Sequence, residues 1–170
     1  MSEGYASLLP GQKTKAVVWT LDVAGDGSLQ GTELHRAWVV SRQQYSYAQL
    51  AHDCPPDATE LVATLARFGA ARRAHLAARG GVTLPKPSQE VVVRDGHLAL
   101  EFRVRLPIED DNAQVSLLTG EAAASLMMSA GWGIVRTMPE ASAEAVASLR
   151  LRALALGVPW AEGDTYADAL

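Results

Sequence analysis

Five residues have the spacing of a known chemistry: Asp22, Asp26, Gly27, Leu29 and Glu33. An acid first, Gly sixth, an apolar residue eighth and Glu twelfth is the pattern of a calcium loop. Ala24 occupies the third ligand position, however, and the stretch before the loop, AVVWTLDV at 16–23, alternates like a strand instead of a helix. A hairpin turn with Asp and Gly at its tight positions accounts for the same residues. That is the preferred reading, and a calcium-binding module on Asp22 and Glu33 is the alternative. His35, His52, His75 and His97 are scattered, none within a nucleophile-elbow or Cys-His signature, and read as surface residues. A His-Glu-x-x-His helix and a phosphate-binding glycine loop are both missing. Glu109, Asp110 and Asp111 are adjacent acids at a helix start, where consecutive side chains diverge, so they read as capping groups with Asp111 as N-cap. No residue is assigned a catalytic or metal-binding role on these grounds. Arg36, Arg42, Arg67, Arg72, Arg73 and Arg79, with Tyr45 and Tyr47, offer cations for phosphates and rings for bases.

The elements that would position these residues form a mixed α+β pattern. Strand alternation at 16–23, the turn Ala24-Gly25-Asp26-Gly27 and a second strand make a hairpin over 16–42 after a turn-rich lead-in at 1–15. Ser46 is placed to cap a short helix ending near His52. A longer helix over 57–79 begins with Asp57 and has Glu60 three residues on, with Gly80-Gly81 as its stop. Its arginines are expected on a basic side, away from Leu61, Leu65, Phe68 and Leu76. Asp95-Gly96 marks a second hairpin over 90–106. The helix over 111–130 carries one charge, Glu121, past its acidic start, and is apolar nearly all round. That predicts a central buried helix against which the antiparallel hairpins pack. Another helix is expected over 142–156, and the segment 163–170 starts like a capped helix but stops within about two turns.

With 170 residues, 48% of them hydrophobic and 20% charged, the chain has the composition of one globular domain. A net charge of −4 excludes a whole-protein basic footprint but not a local basic patch. Cys54 is the only cysteine, so no intrachain disulfide or thiolate zinc cluster can form. Neither a signal-peptide layout nor a long apolar run is present. A cytoplasmic protein with no membrane partner is the expectation.

The order of several motifs adds to this reading. They are Ser2-Glu3-x-x-x-Ser7-Leu8-Leu9-Pro10 before the hairpin, Val40-Ser41-Arg42-x-x-Tyr45-Ser46-Tyr47, and Arg79-Gly80-Gly81-Val82. Pro107-Ile108-Glu109-Asp110-x-Asn112-Ala113-Gln114-Val115-Ser116-Leu117-Leu118-Thr119-Gly120 completes the series. In register from Ser2 to about Trp160, the chain resembles the catalytic RNB domain of the ribonuclease II and ribonuclease R family. The resemblance implies a hydrolytic exoribonuclease acting on single-stranded RNA from its 3′ end, with RNA and not DNA as partner. It also implies Mg²⁺ for an intact family member, to activate water and stabilise charge on the phosphodiester. Tyr47 matches a tyrosine that packs on the 3′-terminal nucleotide. Gln114 falls at or beside a glutamate that contacts the terminal ribose. Arg42 and Arg136 match basic positions on the RNA side, and Leu84 stands where relatives carry a base-stacking phenylalanine. The family's metal-binding aspartate cluster lies upstream of the segment that begins at Ser2, and its phosphate-binding arginine motif lies downstream of Trp160. The expectation is therefore an internal portion of an RNB domain, inactive alone, with no metal held by this chain; a non-catalytic RNA-binding or protein-interaction module is the alternative. Such a portion would expose apolar edges suited to self-association or to a partner chain.

Overall fold

The computed structural model describes residues 4, 6–83, 88–137, 139–161, 163–165 and 168. Among the described residues, two separate antiparallel hairpins and four α-helices make the mixed α+β architecture that the residue patterns predict. Strands β1 (Lys13–Val23) and β2 (Leu29–Val40) pair from Lys13 opposite Val40 to Val23 opposite Leu29, with a bulge at Asp22 and Val23. In the turn, Asp26 accepts hydrogen bonds from the Ser28 amide at 2.9 Å and its hydroxyl at 2.7 Å. These donors, the hydroxyl first, hold the Asp26 carboxyl below its ordinary range. The calcium reading gives way here. Asp22 and Glu33 lie in two paired strands, opposite Gly31 and Thr20, and not around a loop between helices. Among the described residues no three His, Cys, Asp or Glu gather in a way that would hold a metal ion.

Gly27 carries the hairpin onto the helices. Its φ is +85°, and a Cβ there would stand 2.5 Å from the Ala71 carbonyl oxygen and 2.9 Å from the Arg72 amide. Gly27→Ala is expected to cost about 2 kcal/mol or more through left-handed strain and this contact. A urea midpoint equal to wild type would contradict it.

Helix α1 (Tyr47–His52) starts as expected, with the Ser46 hydroxyl accepting from the Gln49 amide at 3.1 Å. A 3₁₀ turn (Pro56–Ala58) precedes α2 (Thr59–Ala78). Asp57 is in that turn and does not cap α2, because its carboxylate accepts the Tyr45 hydroxyl at 2.8 Å. Gly80, at φ +77°, follows the end of α2, and the Gly81 amide donates to the Leu76 carbonyl at 2.8 Å.

Helix α3 (Pro107–Ala130) begins four residues before its predicted start. Pro107 supplies the fixed φ and missing N–H suited to a first turn. The Glu109 carboxylate, instead of Asp111, satisfies the start by accepting the Leu106 amide at 2.8 Å. That bond, followed by the one from Arg103, holds the Glu109 carboxyl below its usual value of 4.5. A depressed folded pKa stabilises above the unfolded pKa, and the contribution fades as pH falls through the folded one. The stability gap between wild type and Glu109→Gln is therefore expected to close as pH drops from neutral to below about 4. A gap in urea midpoint that stays constant down to that pH would refute it.

Helix α3 buries one stripe and not its whole circumference: Ile108, Asp111, Gln114, Leu118 and Ala122. Leu117, Leu126 and Met128 remain 52%, 40% and 72% exposed. The stripe meets α2, where Gly69 lets Asp111 approach so closely that an added Cβ would fall on its carboxylate. Arg72, expected on a solvated basic face, is fully buried. Its Nη1 donates to the Gly27 carbonyl at 2.6 Å and its Nη2 to Glu121 at 2.9 Å. One guanidinium thus ties the first hairpin, α2 and α3 together, and the lone charge of the apolar helix is its partner.

Strands β3 (Ser88–Arg94) and β4 (His97–Arg103) pair through a turn with Asp95 at φ +49° and Gly96 at +78°, as a type I′ hairpin requires. The register sets Val91, Val93, Leu98, Leu100 and Phe102 on one face, each more than 60% exposed. Arg103 joins this hairpin to α3 through Glu109 at 2.5 Å. Helix α4 (Ala143–Ala155), capped by Ser142, buries none of its residues. The accessible surface is 13377 Å², against about 8,100 Å² for a compact monomer of 18.1 kDa, so much apolar surface stays open. Among the described residues, no helix is long and apolar enough to cross a membrane. Leu84 and much of 163–170 lie outside the described residues.

Candidate nucleic-acid interface

Two elements bring the tyrosine and the central helix together. The Ser46 cap fixes where α1 begins and so sets Tyr47 as its first residue, 39% exposed. Asn112 lies on α3 one position beyond the buried Asp111, and its Nδ2 donates to the Tyr47 hydroxyl at 2.8 Å. This bond spans 65 residues of sequence and holds the ring beside the start of α3 with part of its surface free. Tyr45 is held separately, and its hydroxyl, donating to Asp57, is shifted above the ordinary phenol range by that bond.

Gln114 stands elsewhere on the helix. Two residues after Asn112 is about 200° of rotation, which turns it into the buried stripe between Asp111 and Glu121. It is 5% exposed, and its Oε1 has no hydrogen-bond partner. The structure therefore joins Tyr47 to Asn112 and leaves Gln114 within the buried stripe of α3. Arg42 is exposed in the connection between β2 and α1, and Arg136 is exposed after α3, and neither makes an ion pair among the described residues. Asn112 lies within the motif at the start of α3, where its residue type and position alone assign it no role. A polar side chain between acids and an apolar run was the available signal.

The acidic run at the start of α3 cannot double as a metal cluster. Glu109 is bound to Arg103 at 2.5 Å, Asp110 to Arg105 at 3.1 Å and Asp111 to Arg73 at 2.6 Å, so three arginines draw the carboxylates apart. These three carboxylates do not fit Mg²⁺, and among the described residues no other group of three His, Cys, Asp or Glu would hold it.

The mixed α+β frame thus carries a partly exposed aromatic ring, Tyr47, held by Asn112, and two exposed arginines, Arg42 and Arg136, that make no ion pair among the described residues. The RNB domain family model matches residues 1–165, and the chain belongs to that family. Its fold is similar to that of Mycoplasma genitalium RNase R in the apo form, with a TM-score of 0.84 at 20% identity, covering 96% of this chain and 27% of that one. The same enzyme in complex with ribose methylated single-stranded RNA gives 0.83 at 20% identity, covering 99% and 28%. Its complex with double-stranded RNA gives 0.80 at 20% identity, covering 93% and 30%. The chain thus spans less than a third of the length of the solved structures it matches. A search of curated proteins returned no match.

Proposed function

We infer that this chain is a portion of a 3′-to-5′ exoribonuclease that contacts single-stranded RNA and does not hydrolyse it alone. The observation that carries the reading is the Tyr47–Asn112 pair, set within an RNB match over residues 1–165. Tyr47 would pack on a terminal nucleotide, and Arg42 and Arg136 would attract phosphates. Gln114, with its buried and unpartnered Oε1, would reach a ribose hydroxyl only if the packing over the buried stripe of α3 opens. Hydrolysis would need aspartates carried by other polypeptide, together with Mg²⁺. The open apolar faces of β3–β4 and α4 support docking of such polypeptide or self-association of the chain.

The test is incubation of 3′-labelled and 5′-labelled oligoribonucleotides with the purified chain, in Mg²⁺ and in EDTA, with the oligomeric state followed by light scattering. Salt-sensitive retention without shortening is the expected result. Mg²⁺-dependent stepwise shortening from the 3′ end would show that residues of this chain suffice for hydrolysis. Absence of retention would remove the RNA role, and a strictly monomeric chain would remove self-association.

A further inference from the structure

The β1–β2 hairpin sorts its charges by face. Lys13 lies opposite Val40, Lys15 opposite Trp38, and Val17 opposite Arg36, so these side chains share one face. Asp22 and Glu33, the carboxylates of the paired strands, belong to the other face. Trp38 is 58% exposed, with the Lys13 and Lys15 ammoniums 5.4 and 5.2 Å from its ring centroid. Lys15, Ala16, Val17, Arg36, Ala37 and Trp38 line a shallow groove of about 500 Å³. Among the described residues none of the three cations forms an ion pair.

Two ammoniums crowd one ring while a third cation waits one register step away, and no acid on that face offsets them. An apolar peptide covering the groove would leave the cations unpaired. A partner that alternates flat rings with negative charges would satisfy both the ring and the cations. A duplex keeps its bases stacked inside, whereas a single strand can lay one on Trp38. We propose that this hairpin face is a second binding site for single-stranded nucleic acid, with a base stacked on Trp38 and phosphates at Lys13, Lys15 and Arg36. It requires neither the Tyr47–Asn112 pair nor hydrolysis.

The test is fluorescence anisotropy of the purified chain with labelled oligouridylate, oligothymidylate of equal length, and a blunt RNA duplex, over a range of salt. Trp38→Ala is expected to weaken single-strand binding about tenfold, with Trp38→Phe restoring most of it. Lys13→Gln with Lys15→Gln is expected to flatten the log K against log salt slope by about 1.4, at roughly 0.7 per phosphate. The same losses are expected in a Tyr47→Ala background, which separates this face from the site on α1. All these side chains are exposed, so far-UV circular dichroism should not change. A preference for uridylate over thymidylate would name RNA as the occupant, and equal binding would name single strands of either sugar. Affinity and slope unmoved by both sets of changes would overturn the proposal. So would tighter binding of the duplex, or a Trp38→Ala variant that alters self-association alone.

Discussion

Arg72→Ala is expected to lower folding stability by about 4 kcal/mol, the largest effect of any single replacement in the chain. Three losses combine. The buried Gly27 carbonyl loses its donor, Glu121 loses its partner, and the emptied volume lies where the hairpin turn, α2 and α3 meet. Glu121 is 38% exposed, so water can re-solvate it and its share is the smallest of the three. Arg72→Met separates the terms. It keeps most of the stem volume and removes Nε, which is buried without a hydrogen-bond partner. Met should therefore cost clearly less than Ala, and the gap between them reads packing. Arg72→Lys should also fall short of wild type, because one ammonium cannot reproduce the two directed bonds of the guanidinium. Urea titration followed by helix circular dichroism measures the series. An Ala variant within about 0.5 kcal/mol of wild type would show that the three elements are held by something else.

Tyr47→Ala is expected to weaken binding of single-stranded RNA about tenfold, since a base stacked on an aromatic ring is worth about 1–3 kcal/mol. Tyr47→Phe keeps the ring and loses only the Asn112 bond, so its affinity should fall less than threefold. Asn112→Ala should resemble Tyr47→Phe, and the Phe and Ala changes together should be no worse than either alone, because both remove one interaction. Anisotropy titrations carried out with Trp38 replaced isolate this site. If Phe and Ala at position 47 behaved alike, the ring would not be the contact, and the hydroxyl pair would be a purely internal tie.

How much of this could be read from the residues depended on whether a signal was local. Turns were legible, because Asp95-Gly96 and the Ala24-to-Gly27 stretch demand backbone angles that few other residues accept. Ser46 and Gly80 were legible for the same reason, and so were the strands, whose alternation survives without knowledge of their neighbours. The start of α3 was misplaced by four residues because an acidic run suits several cap positions, and Pro107 with Glu109 decides between them. Asp57 looked like a cap until Tyr45 claimed it. Burial was the least legible property. Arg72 reads as a surface cation in any helical projection, and only the Gly27 carbonyl and Glu121, 45 and 49 residues away, explain why it is inside. The converse error concerned α3, whose apolar circumference forecast burial on all sides while this chain covers one stripe. At the candidate site, motif order pointed to Tyr47, and the partner that orients it became visible only when α1 met α3.

The second hairpin has a consequence for how the molecule comes apart. Its apolar face is open, and Arg103 with Glu109 is its described polar link to α3. A two-stranded ribbon in water is marginal on its own. The amides of β3 and β4 should therefore exchange with solvent deuterium long before those of α2 and α3, whose opening requires breaking the Arg72 junction. The helix signal and the exchange of the β3 and β4 amides would then report different midpoints, and no single melting temperature would describe the chain. A polypeptide that covers Val91, Val93, Leu98, Leu100 and Phe102 would merge these transitions into one, turning cooperativity itself into a readout of its arrival.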